Sequence, residues 1–138
     1  MTEPEGDPLL DAAQRMLEEP SRGTVSAWPR AVALLARQRL EAALGELWRA
    51  RLPGAEQLTM RAQLACARSQ LGPELAGELA YTWHALSRAT HHHHYELDPT
   101  REELATLLSA VRRLVGQLRA PTVIAAAGTV PARTVPAG

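Results

Sequence analysis

The feature that most constrains this chain is the recurrence of leucine and alanine at spacings of three and four residues. These spacings place side chains on one face of an α-helix, whereas a strand would need strict alternation. Valine and isoleucine are sparse and phenylalanine is absent, so strands and an aromatic core are both disfavoured. The sequence therefore predicts an all-α fold with an aliphatic core. The cleanest apolar stripe contains Leu104, Leu107, Leu108, Val111, Leu114, Val115 and Leu118.

Prolines and glycines divide the periodic segments into five helices. Asp7 followed by Pro8 is typical of a helix start, and Thr100 with Glu103 has the spacing of a capping box. We expect an up-and-down bundle of four main helices plus a short N-terminal helix. The helices are predicted over residues 8–19, 29–51, 59–71, 73–91 and about 100–118.

The 138 residues fit one domain. We expect that domain to span residues 7–119, because the segments on either side lack an apolar period. Residues 1–6 and the tail 120–138, rich in Ala, Thr, Val, Pro and Gly, are predicted to be disordered.

Helices two and three differ in the pattern of polar and apolar residues on their faces. In helix two, Gln38, Glu46 and Arg49 fall opposite the apolar stripe, and Arg37 and Arg39 are interpreted as a solvated face. Helix three has one apolar stripe at Met60, Leu64, Ala67 and Leu71, and a second apolar side at Leu58, Ala62 and Ala65. We therefore expect helix three to be buried on two faces, the second of them in a homodimer.

Charge and cysteine content exclude several classes of protein. The net charge is zero, but residues 1–19 carry six acidic side chains against one arginine, so the remainder is +5. Such a mild excess allows weak phosphate affinity and falls short of a strong nucleic-acid footprint. A single cysteine, Cys66, excludes an internal disulfide and fits a reducing cytoplasm. No segment has the length of a membrane helix, and the acidic start does not resemble a signal peptide.

The segment 88–95, Arg-Ala-Thr-His-His-His-His-Tyr, is the main candidate for chemistry. His84 lies one helical turn before Arg88, and His92 would follow one turn later on the same face if the helix continued. A guanidinium can hold a phosphate through two hydrogen bonds, and an imidazole can move a proton near neutral pH. Together these groups could cleave RNA without a metal, by promoting attack of the 2′-hydroxyl on the neighbouring phosphate.

Two other interpretations of the histidine run stay open. It can be the polar end of a helix with no chemistry. It can also supply a metal site, although adjacent helical side chains point about 100° apart and cannot all bind one ion. Of the remaining candidates, Cys66 is interpreted as an inert helix cysteine, and the three tryptophans, Trp28, Trp48 and Trp83, as edges of the core.

Two stretches together resemble the HEPN superfamily of small helical domains. Residues 30–44, RAVALLARQRLEAAL, are similar to its early helix, in which a small residue, Gln and Glu recur in an Ala/Leu-rich frame. Residues 86–97 are similar to its Arg-x(4–6)-His segment, because four residues separate Arg88 from His93 and five separate Arg88 from His94. The resemblance covers residues 7–119, loosely outside these two stretches.

The resemblance implies a function as well as a fold. HEPN-like proteins include metal-independent ribonucleases of toxin–antitoxin and antiphage systems, which act as dimers, and non-catalytic binders of nucleotides, RNA or proteins. It implies that Arg88 holds the scissile phosphate and that His93 or His94 is the general acid or base. It also places His84, His92 and Tyr95 around the site and requires neither a metal nor another cofactor.

One residue departs from the pattern of the catalytic members. The residue after the arginine is usually polar there, and here it is Ala89. We therefore expect either a protein that binds or cleaves RNA, with RNA and possible antitoxin partners, or a non-catalytic helical module that recognises a protein or nucleotide through the same surface.

Overall fold

The computed structural model describes residues 6–19, 27–91 and 97–120. They form five α-helices: α1 (Pro8–Glu18), α2 (Trp28–Arg51), α3 (Met60–Leu71), α4 (Pro73–Thr90) and α5 (Arg101–Leu118). A 3-10 turn at Ala55–Gln57 links α2 to α3. No strand occurs in the described ranges, so the predicted all-α bundle is confirmed. The two segments predicted to be disordered lie almost wholly outside the described residues.

Local capping determines where three of the helices begin. Asp7 accepts a hydrogen bond from the Leu10 amide, and Thr59 accepts one from the Ala62 amide. Thr100 and Glu103 form both hydrogen bonds of the predicted capping box, each 3.1 Å long. Each cap satisfies an amide that the helix leaves without a partner, and a lost cap typically costs about 1 kcal/mol.

Helix α2 is the central element, since it packs against α1, α4 and α5. Trp83 Nε1 of α4 donates to Glu41 Oε1 of α2 at 2.9 Å, and the end of α4 meets the start of α2, so these helices are antiparallel. By contrast, Arg101 lies over the Trp28 ring at one end and Arg119 approaches Glu46 at the other, so α5 runs parallel to α2. Helix α3 packs on α4.

The predicted apolar stripes form the core. Trp48 is fully buried inside the core, so its interpretation as an edge is wrong, whereas Trp28 and Trp83 are half-buried against the core, as expected for its edges. No described helix has both the length and the apolar character that crossing a bilayer requires. The core-forming large aliphatic residues are Leu10, Leu17, Val32, Leu40, Leu44, Leu47, Leu79, Leu86, Leu104, Leu108, Val111, Leu114, Val115 and Leu118.

Helix α3 differs from the expectation of burial on two faces. Within this chain its second apolar side is open, because Leu58 and Ala65 are exposed and Ala62 is only half-buried. Its fully buried positions are Ala67 and Gln63. Gln63 is accommodated because its Nε2 donates to the Leu58 carbonyl at 2.8 Å and to the Glu56 carbonyl at 3.3 Å. A buried amide with two acceptors replaces apolar packing at this position.

The interpretation of Arg39 as solvated is wrong. Its side chain is only 8% exposed, because it forms an ion pair with Asp7 and approaches Glu46 at 3.8 Å. Burial raises the pKa of Asp7, but the hydrogen bonds from Arg39 and the Leu10 amide, with the charge of Arg39, outweigh it and lower the pKa below its usual value. Helical periodicity indicates which side chains of α2 face away from its apolar stripe. It cannot show that α1 covers the face that holds Arg39.

Candidate functional site

The structure places two of the residues predicted for the site on the outer surface of α4. His84 and Arg88 are both exposed and lie one turn apart. The rings of His84 and Trp83 form a T-shaped pair, with 5.1 Å between ring centroids. The other predicted residues, His92, His93, His94 and Tyr95, lie outside the described residues, so their geometry relative to Arg88 stays a prediction.

A pocket lies beside this segment, between the start of α2 and the end of α4. Its volume is about 340 Å³. It contains two arginines and one histidine, with an apolar wall from α2. The lining residues are Ala27, Arg30, Ala31, Leu34, Arg37, Thr90 and His91.

The two arginines of the pocket converge on a single residue, Thr90. Arg30 Nε donates to the Thr90 carbonyl oxygen at 3.3 Å, and Arg37 Nη1 donates to Thr90 Oγ1 at 3.0 Å. The Thr90 hydroxyl in turn donates to the Ser87 carbonyl at 2.8 Å. The hydroxyl is therefore fixed in direction, with its proton on the helix and a lone pair toward Arg37.

The end of α4 explains this arrangement. The last carbonyl groups of an α-helix have no partner within the helix, and cations near them are favourable. Thr90 is the final helical residue, and Arg30 supplies the donor that its carbonyl lacks. The backbone turns away at His91, whose amide still donates to the Ser87 carbonyl at 3.2 Å.

The electrostatics of the pocket favour an anion. Each guanidinium donates one N–H to Thr90, an uncharged residue, and has further N–H donors. One carboxylate reduces this charge: Glu41 Oε1 lies 3.6 Å from Arg37 Nε while accepting from Trp83. Arg37 Nε is buried and makes no hydrogen bond in the described part of the chain. The α2 N-terminus, whose N-cap residue Ala27 makes no side-chain hydrogen bond, adds a positive helix end to the pocket, and the C-terminus of α4 at Thr90 adds a negative one that offsets it.

Arg88 does not line this pocket. Residues two apart on an α-helix point about 200° apart, so Arg88 projects away from the face on which Thr90 meets α2. The structure thus presents Arg30, Arg37 and His91 on one side of the α4 end, and Arg88 with His84 on another.

Sequence reasoning missed the role of both pocket arginines. Arg37 was expected on a solvated face, and Arg30 entered only as the first residue of a motif stretch. A signal was present, since Arg30, Leu34 and Arg37 have spacings of four and three and share one helical face. Which helix covers that face is a matter of tertiary packing.

Other parts of the described chain offer less for chemistry. A second pocket of about 260 Å³ lies between α2 and α5, where Glu46 and Arg119 pair with each other at 3.6 Å. No group of three His, Cys, Asp or Glu side chains suited to a metal occurs in residues 6–19, 27–91 and 97–120. Cys66 is a half-buried free cysteine on α3.

Comparisons with family models, curated proteins and solved structures found no match for this chain. The resemblance to the HEPN superfamily therefore depends on the motif residues alone.

Proposed function

We propose that this protein is a HEPN-like RNA-binding domain that contacts phosphate groups at the α2–α4 pocket. The observation that carries the proposal is the convergence of Arg30 and Arg37 on Thr90, next to His91. Guanidinium groups bind phosphate through paired hydrogen bonds, and Thr90, which orients both of them, is uncharged, while Glu41 at 3.6 Å offsets part of the charge of Arg37. His84 and Arg88 are exposed on a different side of α4 and are not part of the pocket.

Binding can be tested with a fluorescent single-stranded RNA that carries phosphate at both ends. The Arg30→Ala/Arg37→Ala double variant should bind at least about tenfold more weakly, because a hydrogen bond to a charged group contributes about 1.5–3 kcal/mol. Arg68→Ala is the matched control, because Arg68 is an exposed arginine on α3, an element that contributes no residue to the pocket. Equal binding by the double variant and the control would overturn the pocket as the RNA site.

RNA cleavage is a further activity that the motif segment supports. Arg88 would stabilise the phosphoryl charge, and His93 or His94 would accept the proton of the 2′-hydroxyl as its oxygen bonds to phosphorus, while the bond from phosphorus to the 5′-oxygen of the next nucleotide breaks and that oxygen takes up a proton. Arg88→Ala should abolish cleavage, and one of His93→Ala and His94→Ala should reduce it about a hundredfold. Cleavage should persist in EDTA. Binding without cleavage would instead indicate a non-catalytic member, as Ala89 suggests.

We further propose a cytoplasmic homodimer. The open second side of α3, with Leu58 45% exposed and Ala65 also exposed, is an apolar surface that the described residues do not cover. A twofold dimer is the commonest oligomer and would cover it. Light scattering at micromolar concentration should give twice the 15.0 kDa chain mass. An antitoxin or another protein partner is the competing occupant, and a monomeric mass would favour it.

A further inference from the structure

The geometry of the pocket points to one phosphate rather than a run of them. Arg30 and Arg37 are seven residues apart on α2, about two helical turns, and side chains at that distance could follow successive phosphates of a strand. Instead, their guanidinium groups are held by the carbonyl oxygen and the hydroxyl of the same residue, Thr90. Both therefore face one small volume.

The charges around that volume suit a dianion. Arg30 and Arg37 supply two positive charges, and His91 also lines the pocket. Among the described residues, Glu41 lies 3.6 Å from Arg37 Nε and accepts a hydrogen bond from Trp83, so it offsets part of the charge of Arg37. An internal phosphodiester carries one negative charge, whereas a phosphate monoester carries about 1.5–2 near neutral pH and has three free oxygen atoms. A terminal phosphate therefore has enough charge to pair with both guanidinium groups. An internal phosphate has charge for only one of them.

The pocket also limits how much of a strand can enter. A volume of about 340 Å³ is at the lower end of small-molecule sites, which span roughly 300–1,000 Å³. Beside the arginines, the lining includes the small and apolar side chains Ala27, Ala31 and Leu34, which suit a sugar or base edge better than further phosphates.

We infer that the α2–α4 pocket is an end-recognition site that binds the terminal phosphate monoester of an RNA strand, with Arg30 and Arg37 as its ligands and Thr90 as the residue that positions them. This inference rests on the proposed RNA-binding function and adds the part of the RNA that the pocket selects. A 5′-phosphate and a 3′-phosphate share this chemistry.

Three RNAs of one sequence distinguish the ends: one with hydroxyl groups at both ends, one with a 5′-phosphate and one with a 3′-phosphate. In fluorescence anisotropy at fixed salt, one phosphorylated RNA should bind at least about tenfold more tightly than the hydroxyl-ended RNA. Arg37→Lys should remove that preference, because it keeps the charge and loses the paired donors. Arg68→Lys should keep the preference.

The role of Thr90 has its own matched pair. Thr90→Val removes the acceptor for Arg37 and keeps nearly the same shape, so it should also remove the preference for a phosphorylated end. Thr90→Ser retains the hydroxyl and should preserve it. If Thr90→Val does not fold by circular dichroism, the Arg37→Lys comparison carries the test.

The outcomes separate this inference from the function on which it rests. Equal binding of all three RNAs would overturn end recognition and leave RNA binding intact. Binding of none would overturn the RNA-binding function itself. Competition by a free nucleoside monophosphate as strongly as by the phosphorylated RNA would identify a nucleotide site and overturn recognition of an RNA end.

Discussion

Two arginine environments on the same helix differ in the groups that hold them. Arg39 is buried between carboxylates, since it pairs with Asp7 of α1 and lies 3.8 Å from Glu46. Arg30 and Arg37 are held mainly by the neutral carbonyl and hydroxyl of Thr90 at the edge of an open pocket. A guanidinium whose charge is already neutralised joins two helices. Arg30 is oriented by a neutral group, and Arg37 is only partly neutralised by Glu41 at 3.6 Å, so both keep charge for a ligand.

Of these three arginines, we expect Arg39 to contribute most to stability. Arg39→Ala should lower the free energy of unfolding by about 2–3 kcal/mol, below the usual 3–5 kcal/mol for breaking a buried pair, because the Asp7 side chain is 16% exposed. Urea titration measures the change. Leu108→Ala, a core truncation at 1% exposure, should cost about 2–5 kcal/mol and sets the scale.

A second variant separates the ion pair from packing. Arg39→Met with Asp7→Asn removes both charges and keeps most of the buried volume, so its stability should approach that of the wild type. A loss as large as that of Arg39→Ala would mean that the aliphatic stem, and not the charge pair, joins α1 to α2.

Acid should weaken the same contact. The folded-state pKa of Asp7 is lowered, so its contribution to stability is fully present above the unfolded pKa of about 3.9 and is lost as pH falls through the lower folded value. Asp7→Asn should therefore reduce the loss of stability between about pH 4 and pH 2. Asn is also a good N-cap, so the start of α1 is retained. An unchanged acid profile would show that other carboxylates dominate.

The smallest effects on stability are expected at the pocket. Arg30→Ala should change the free energy of unfolding by less than about 1 kcal/mol, because it removes one hydrogen bond near the surface, and Arg37→Ala should cost slightly more, because it also removes the contact with Glu41. The same variants should weaken RNA binding. Substitutions at the pocket should therefore lower affinity more than stability, unlike substitution of Arg39. If either variant costs as much stability as Arg39→Ala, the comparison fails.

Much of the candidate site depends on information that the sequence presents only in part. The Arg-His segment was visible as a motif, and the structure shows its first part, Arg88 and His84, exposed on one surface of α4. The pocket formed by Arg30 and Arg37 was not recognised, because a polar residue opposite an apolar stripe is expected in water. Thr90 gave no signal at all, since a threonine near a helix end is unremarkable until another helix meets it.

The positions and ends of the helices could be predicted from the sequence alone, because helix formation and capping depend on interactions within a few residues. The 3.6-residue period of the leucine stripes, the cap of Asp7 and the reciprocal bonds of Thr100 and Glu103 act locally, and the structure confirms them. Which polar faces are covered depends on how the helices pack. Helix α1 buries Arg39, and α4 brings Thr90 to Arg30 and Arg37, while the second side of α3 is left open. Periodicity specifies the direction in which a side chain points from its own helix. The element that lies there is set by how the helices pack, through contacts between residues distant in sequence.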